Sequence, residues 1–208
     1  MPKSPENQPE LLLTSFTTWL PHQKSNASDD LLKEFPDRAW RLRLLPVDTD
    51  QASQRVIAAI QELKPGAVVC LGMAELRSRL NLELSARFCG DRLQTSLDLA
   101  SLVRDLEYTE ISTDAGQFVC EGLYYHVLQH LQRHHPHVPC VFVHVPVLRL
   151  AIKPKFWRIL SECAIICCPK LVIQANHEIN SIDTRQSKLT TIAMVNSLLV
   201  ISGDSGQL

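Results

Sequence analysis

Almost continuously apolar runs recur along the chain at residues 10–16, 65–74 and 138–148. Such runs are typical of strands that are buried on both faces of a parallel sheet. Residues 38–47 alternate apolar and polar side chains and finish at a proline, which indicates a further strand. Residues 17–30 are polar and are interpreted as a loop. We therefore expect these strands to lie in one sheet.

Two segments between the strands have the apolar spacing of amphipathic helices. Residues 50–64 repeat apolar side chains three and four positions apart, and Asp48 or Thr49 could cap this helix. Residues 121–135 form the second predicted helix. Strands that alternate with helices predict an α/β fold, a three-layer α/β/α sandwich around a mostly parallel twisted sheet.

This pattern weakens after about residue 149, which divides the chain into two parts. We expect one α/β domain over residues 1–150 and a divergent C-terminal tail over residues 151–208 that packs on the same domain. The glycine-rich phosphate-binding patterns GxGxxG and GxxxxGK[ST] are both absent from the sequence.

The charge balance excludes several classes of partner. The chain has 21 basic and 22 acidic residues, which argues against a nucleic-acid groove and against a surface for anionic membranes. Seven cysteines and a polar, proline-containing start without a signal peptide favour a reducing cytoplasm and free thiols. The apolar run at residues 191–202 is shorter than the roughly 20 residues that span a bilayer.

Three side chains have the chemistry of an activated nucleophile. Cys120 lies at a predicted helix start, where the helix N-terminus favours a thiolate and predicts a lowered pKa. His144 lies inside an apolar strand, so its ring needs a buried partner. Glu83 follows the strand at residues 65–74 and could orient such a histidine. Taken singly, Cys120 is more often a core thiol and Glu83 an ordinary surface or capping acid, whereas for His144 a satisfied core histidine and a base are equally open.

Four short motifs point to a family when they are taken together. The stretches "LLTSF" with "NAS", "LGMAELRSRLNLELSA", "STDAGQFVC" and "FVHVP" occur in this order over residues 11–146. In order and spacing they resemble the motifs of the pyroglutamyl peptidase I family of cysteine peptidases, also called pyrrolidone carboxyl peptidases. The separation between Cys120 and His144 is the same as in that family.

The resemblance implies an activity and a set of residues. It implies hydrolysis of an N-terminal pyroglutamyl residue from peptides through a thioester, with Cys120 as nucleophile, His144 as base and Glu83 as its orienting partner. The backbone N–H of Cys120 would donate to the oxyanion, with Arg92 as a second donor. The pocket for the pyrrolidone ring would be lined by Phe16, Trp19, Val47, Met73, Leu93, Phe118 and Val119.

The same resemblance implies the partners. It predicts a peptide substrate with N-terminal pyroglutamate, a cytoplasmic location and a homo-oligomer. We expect no cofactor and no metal, and the charge balance argues against nucleic acid and membrane as partners.

Some positions differ from the family pattern. Glu121 replaces an asparagine, and a carboxylate beside a thiolate disfavours that thiolate. Met73 stands where the family often has glutamine, which could bond the lactam, and Leu84 replaces an arginine. Two alternatives therefore stay open: a diverged homologue with weak or altered amidase activity, and a non-catalytic binding protein.

Histidines and further cysteines outside these motifs allow a metal interpretation. His126, His130 and His134 recur on one helix at the spacing of zinc ligands, although a solvated helix face explains them as well. The apolar tail carries a second group, Cys163, Cys167 and Cys168, which we interpret as packing residues.

Overall fold

The computed structural model describes residues 11–35, 39–104 and 106–147. The predicted tail at residues 151–208, with Cys163, Cys167 and Cys168, lies outside these residues. The strands are β1 Leu11–Phe16, β2 Trp40–Leu45, β3 Ala67–Met73, β4 Leu80–Glu83, β5 Ser85–Phe88, β6 Asp91–Gln94, β7 Thr109–Ser112 and β8 Cys140–Val145. The helices are α1 Ala27–Glu34, α2 Thr49–Leu63, α3 Leu99–Val103 and α4 Val119–His134.

Six strands form a mostly parallel sheet in the order β2-β1-β3-β8-β4-β7. Strands β2, β1, β3 and β8 pair in parallel, as the apolar runs predicted. Strand β4 is antiparallel to β8 and parallel to β7. The short connection after β3 explains this reversal, because a parallel return needs a crossover of a dozen or more residues.

Helices cover both faces of the sheet. On one face, alternate side chains such as Leu12, Cys70 and Phe142 pack in one buried cluster with α2 and α4. On the other face, α1 contacts β1 and β3, and its Asp29 accepts a hydrogen bond from Ser15. The fold is therefore the predicted layered α/β arrangement.

Helix α1 corrects the interpretation of residues 17–30 as a loop. The helix begins at Ala27, because the side chain of Asn26 accepts the backbone N–H of Ser28 as a cap. Its buried face includes Asp29, which the polarity pattern had placed in the loop. Asp29 is buried because the Arg43 guanidinium on β2 binds it through two hydrogen bonds of 2.8 and 3.0 Å.

The other predicted helices and strands are confirmed within a few residues. The cap of α2, left open between two residues, is Asp48, whose side chain accepts the backbone N–H of Gln51. Strands β5 and β6 form a separate hairpin that packs on α4. Within the described residues, no helix is long and apolar enough to cross a membrane.

Candidate active site

Cross-strand pairing brings Glu83 and His144 together. His144 on β8 lies opposite Asn81 of β4, and Glu83 is two residues further along the same strand. Residues two apart point to the same face of a strand, so Glu83 is a diagonal neighbour of His144. The Nδ1 atom of His144 lies 2.7 Å from Oε1 of Glu83. The predicted need of His144 for a buried partner is thereby met.

Both members of this pair are withdrawn from solvent. Glu83 is 0% exposed and His144 is 5% exposed. Because Nδ1 faces the carboxylate, Nε2 is the ring nitrogen that a reacting group in the cavity can use. The carboxylate thus fixes both the orientation of the ring and its tautomer, as expected for a general base with an orienting partner.

Cys120 is the second residue of α4 and lies against strand β3. A Cβ placed on Gly72 would lie 2.8 Å from Sγ of Cys120, and Gly72 is the register partner of His144 on β8. The hydroxyl of Tyr124, one turn along α4, donates to the backbone carbonyl of Glu83 at 3.0 Å. The start of α4 is therefore anchored beside the Glu83–His144 pair.

The environment of Cys120 reverses the predicted direction of its pKa. Burial, followed by the charges of Glu83 and Cys70, raises the pKa of Cys120 to about 12, while Arg77 and the backbone at the helix start lower it. Desolvation outweighs the helix N-terminus here, because an uncompensated thiolate loses its hydration in the low-dielectric interior. Burial therefore favours the neutral thiol of Cys120 over its thiolate.

The carboxylate of Glu121 binds the β5–β6 hairpin, although its position next to Cys120 in the sequence had suggested a direct effect on the thiolate. Its carboxylate accepts the backbone N–H of Arg87 at 3.1 Å, which turns the side chain towards the β5–β6 hairpin. Burial raises the pKa of Glu121. The leading carboxylate that raises the pKa of Cys120 is Glu83 and not its immediate neighbour.

A cavity of about 400 Å³ opens beside these groups. Its wall is largely apolar and aromatic, and it contains both Cys120 and His144. The lining residues are Phe16, Trp19, Asn26, Val47, Met73, Ala74, Glu75, Leu76, Arg77, Ala115, Gly116, Phe118, Val119, Cys120 and His144. Six of the seven predicted pocket residues lie in this wall, and Leu93 does not.

Two predicted site residues lie elsewhere. Leu93 packs against the buried cluster beneath α2 and α4. Arg92 donates from Nε to the hydroxyl of Ser85 at 3.0 Å. Both residues are on β6, whose pairing with β5 forms a hairpin against α4, so they do not reach the cavity wall. The structure therefore does not place Arg92 among the residues of the cavity wall.

Arg77 is a residue of this site whose contacts the sequence did not predict. Its Nη1 donates to Oε1 of Glu83 at 2.7 Å, and its Nη2 donates to the backbone carbonyl of Asp114 at 2.7 Å. Its position within the "GMAELRSRLNLE" stretch was the available signal, but the sequence did not indicate which group it contacts. Met73 also has a polar contact, because its sulfur accepts the backbone N–H of Ala27 at 3.2 Å.

The histidines of α4 do not assemble a metal centre in this geometry. Among residues 11–35, 39–104 and 106–147, no group of three metal-ligating side chains is placed to hold an ion. His126 packs against the ring of Phe88 at a centroid distance of 4.6 Å, and His130 lies 4.9 Å from His134. His126 and His130 are half-buried and His134 is exposed, so the interpretation as a solvated helix face fits only His134 of these three residues.

Comparison with known proteins gives one consistent result. The family described as pyroglutamyl peptidase matches residues 100–158. The pyrrolidone-carboxylate peptidase of Deinococcus radiodurans is 30% identical over 170 residues, which is 66% of this chain and 78% of the relative. That of Oceanobacillus iheyensis is 23% identical over 167 residues, with 66% and 83% covered.

Solved structures support the same fold. The crystal structure of pyroglutamyl peptidase I from Bacillus amyloliquefaciens superimposes with a TM-score of 0.65 at 20% identity, covering 77% of this chain and 95% of that one. The pyrrolidone carboxyl peptidase of Thermococcus litoralis gives a TM-score of 0.64 at 18% identity, with 79% and 95% covered.

Proposed function

The chain belongs to the pyroglutamyl peptidase family, and from this premise we propose that it is a cysteine peptidase that removes N-terminal pyroglutamate from peptides. Cys120 acts as the nucleophile, His144 as the general base and Glu83 as the orienting carboxylate. The observation that carries the proposal is the 2.7 Å contact between the buried Glu83 and His144, which lines the same cavity as Cys120.

The neutral resting thiol determines the order of proton movements. Attack of the Cys120 sulfur on the scissile carbonyl passes the thiol proton to Nε2 of His144. The imidazolium, stabilised by Glu83, then gives that proton to the departing amine as the C–N bond breaks and a thioester remains. Water, deprotonated by the same nitrogen, attacks the thioester carbonyl, the C–S bond breaks with release of pyroglutamate, and the imidazolium returns the proton to the sulfur of Cys120.

The oxyanion formed in both steps needs a hydrogen-bond donor. The first N–H groups of a helix have no partner inside the helix and point out of its N-terminus. Cys120 is in the first turn of α4, so its own backbone N–H is the proposed donor.

The cavity suits the proposed substrate. A pyroglutamyl residue is a compact neutral lactam without a free amine, and an apolar slot with few polar groups is its natural site. Phe16, Trp19 and Phe118 supply aromatic surface in the wall that carries Cys120. The backbone contact of the Met73 sulfur limits what that side chain can offer the lactam.

The direct test uses the purified full chain and a fluorogenic pyroglutamyl amide. We expect release of the fluorophore, its loss after treatment with iodoacetamide, and its loss in Cys120→Ser. Cys89→Ser is the matched control, because Cys89 is an exposed thiol at the turn of the β5–β6 hairpin. This variant should keep both the activity and its sensitivity to iodoacetamide.

Two outcomes would contradict the proposal. Undiminished release by Cys120→Ser would remove the nucleophile from the mechanism. A folded wild-type protein without any release would favour the diverged or non-catalytic alternatives, and Met73→Gln would then test whether the lactam contact is what has been lost.

A further inference from the structure

One oxygen of the buried carboxylate binds two groups at once. Oε1 of Glu83 lies 2.7 Å from Nδ1 of His144 and 2.7 Å from Nη1 of Arg77. The other oxygen, Oε2, is buried without a hydrogen-bond partner among the described residues. The orientation of the carboxylate towards His144 therefore depends on the two contacts that Oε1 makes with His144 and Arg77.

Arg77 also reaches the segment that leads into the nucleophile. Its second amino group donates to the carbonyl of Asp114 at 2.7 Å, and its backbone N–H donates to the carbonyl of Ala74. Residues 113–118 connect β7 to α4 and contribute Ala115 and Gly116 to the cavity wall. One guanidinium thus joins the Glu83 end of the site to the Cys120 end.

We propose that Arg77 is a positioning residue of this site, which holds the Glu83 carboxylate against His144 and fixes the segment that places Cys120. The inference rests on the proposed function. A buried carboxylate without a cation is costly, and the two ends of a planar guanidinium can bind two acceptors in a fixed geometry. A lysine cannot reproduce both contacts with one ammonium group.

The charge of Arg77 acts on the nucleophile as well. Arg77 is the side chain that lowers the pKa of Cys120 against the larger effects of burial and Glu83. Removal of the guanidinium should therefore leave the thiol still harder to ionise. This effect can be measured without any peptide substrate.

The test compares Arg77→Gln and Arg77→Lys with the control Arg79→Gln, which removes an exposed arginine two residues away. For Arg77→Gln we expect kcat/KM to fall about 10- to 100-fold, mainly through kcat, because supporting contacts of this kind have such effects. Arg77→Lys should recover part of the loss, and Arg79→Gln should stay within about twofold of the wild type.

Alkylation of Cys120 by iodoacetamide across pH is the second readout. We expect the profile of Arg77→Gln to move to higher pH and that of Arg77→Lys to stay closer to the wild type. A change confined to KM would assign Arg77 to substrate binding and overturn the proposal, as would a profile equal to that of Arg79→Gln. A wild type that hydrolyses no pyroglutamyl amide would refute the proposed function, whereas the alkylation profiles would still decide the role of Arg77.

Discussion

Gly72 offers the sharpest test of the packing that positions the nucleophile. A methyl group at this position would lie 2.8 Å from Sγ of Cys120 and 2.8 Å from Cζ of Phe142. Phe142 is fully buried, and its ring lies 4.9 Å from the His144 ring and 5.8 Å from the Tyr124 ring. Because Phe142 is held on two sides, we expect Gly72→Ala to displace the sulfur of Cys120.

The size of the effect follows from contact distances. Ordinary contacts between non-bonded heavy atoms are about 3.5–4.0 Å, so the sulfur has to move by roughly 1 Å. Displacement of a reacting group by about 1 Å can cost about 100-fold in rate. Overpacking of a well-filled interior costs about 1–3 kcal/mol of unfolding free energy.

The assay pairs kcat/KM on a pyroglutamyl amide with urea denaturation. The control is Gly90→Ala at the β5–β6 turn, where the backbone has a φ of +84° and a Cβ would meet no described atom within 4 Å. This control should lose about 1 kcal/mol through backbone strain and keep its activity. If Gly72→Ala keeps the kcat/KM of the wild type, or if Gly90→Ala loses as much kcat/KM as Gly72→Ala, then contact with Gly72 does not position the sulfur.

Two further predictions concern ionisation and the buried ion pair. Burial raises the pKa of Cys120 from 9.0 to about 12, so the stability that its neutral thiol contributes is complete below pH 9 and is lost as pH rises towards 12. The urea midpoint of the wild type should therefore fall relative to that of Cys120→Ala as pH rises above 9, and a constant difference between the two midpoints would contradict this. Burial raises the pKa of Asp29, but hydrogen bonds from Arg43 and Ser15 lower it overall. Arg43→Met should therefore lower the unfolding free energy by about 2–3 kcal/mol at neutral pH. This difference should shrink below pH 3.8 as Asp29 becomes protonated, and thermal denaturation at neutral and at acidic pH checks this.

Local chemistry explains why so much of the fold could be predicted. The runs that became β1, β3 and β8 are apolar because both faces of these strands are covered, and this pattern is visible in the residues themselves. The requirement that a histidine inside such a run needs a partner is equally local, and the structure shows that Glu83, which the family motif had suggested, meets it. The helix α4 and its start beside Cys120 followed from apolar spacing in the same way.

Structural features that depend on contacts between distant segments could not be predicted from local sequence patterns. Helix α1 has a buried carboxylate that Arg43 and Ser15 on neighbouring strands make tolerable, so its polar sequence resembled a loop. Leu93 and Arg92 were expected in the cavity, but the hairpin that carries them folds against α4 instead.

The sequence by itself determined the layered α/β fold, the resemblance to the family, and the presence of a cysteine at a helix start and of a histidine in a buried strand. Only the tertiary structure decided that burial raises the pKa of Cys120 and that Arg77 shares the Glu83 carboxylate with His144. The physical reason is that a helix start is a local feature, whereas desolvation and shared hydrogen bonds depend on every side chain that the fold brings within a few ångströms.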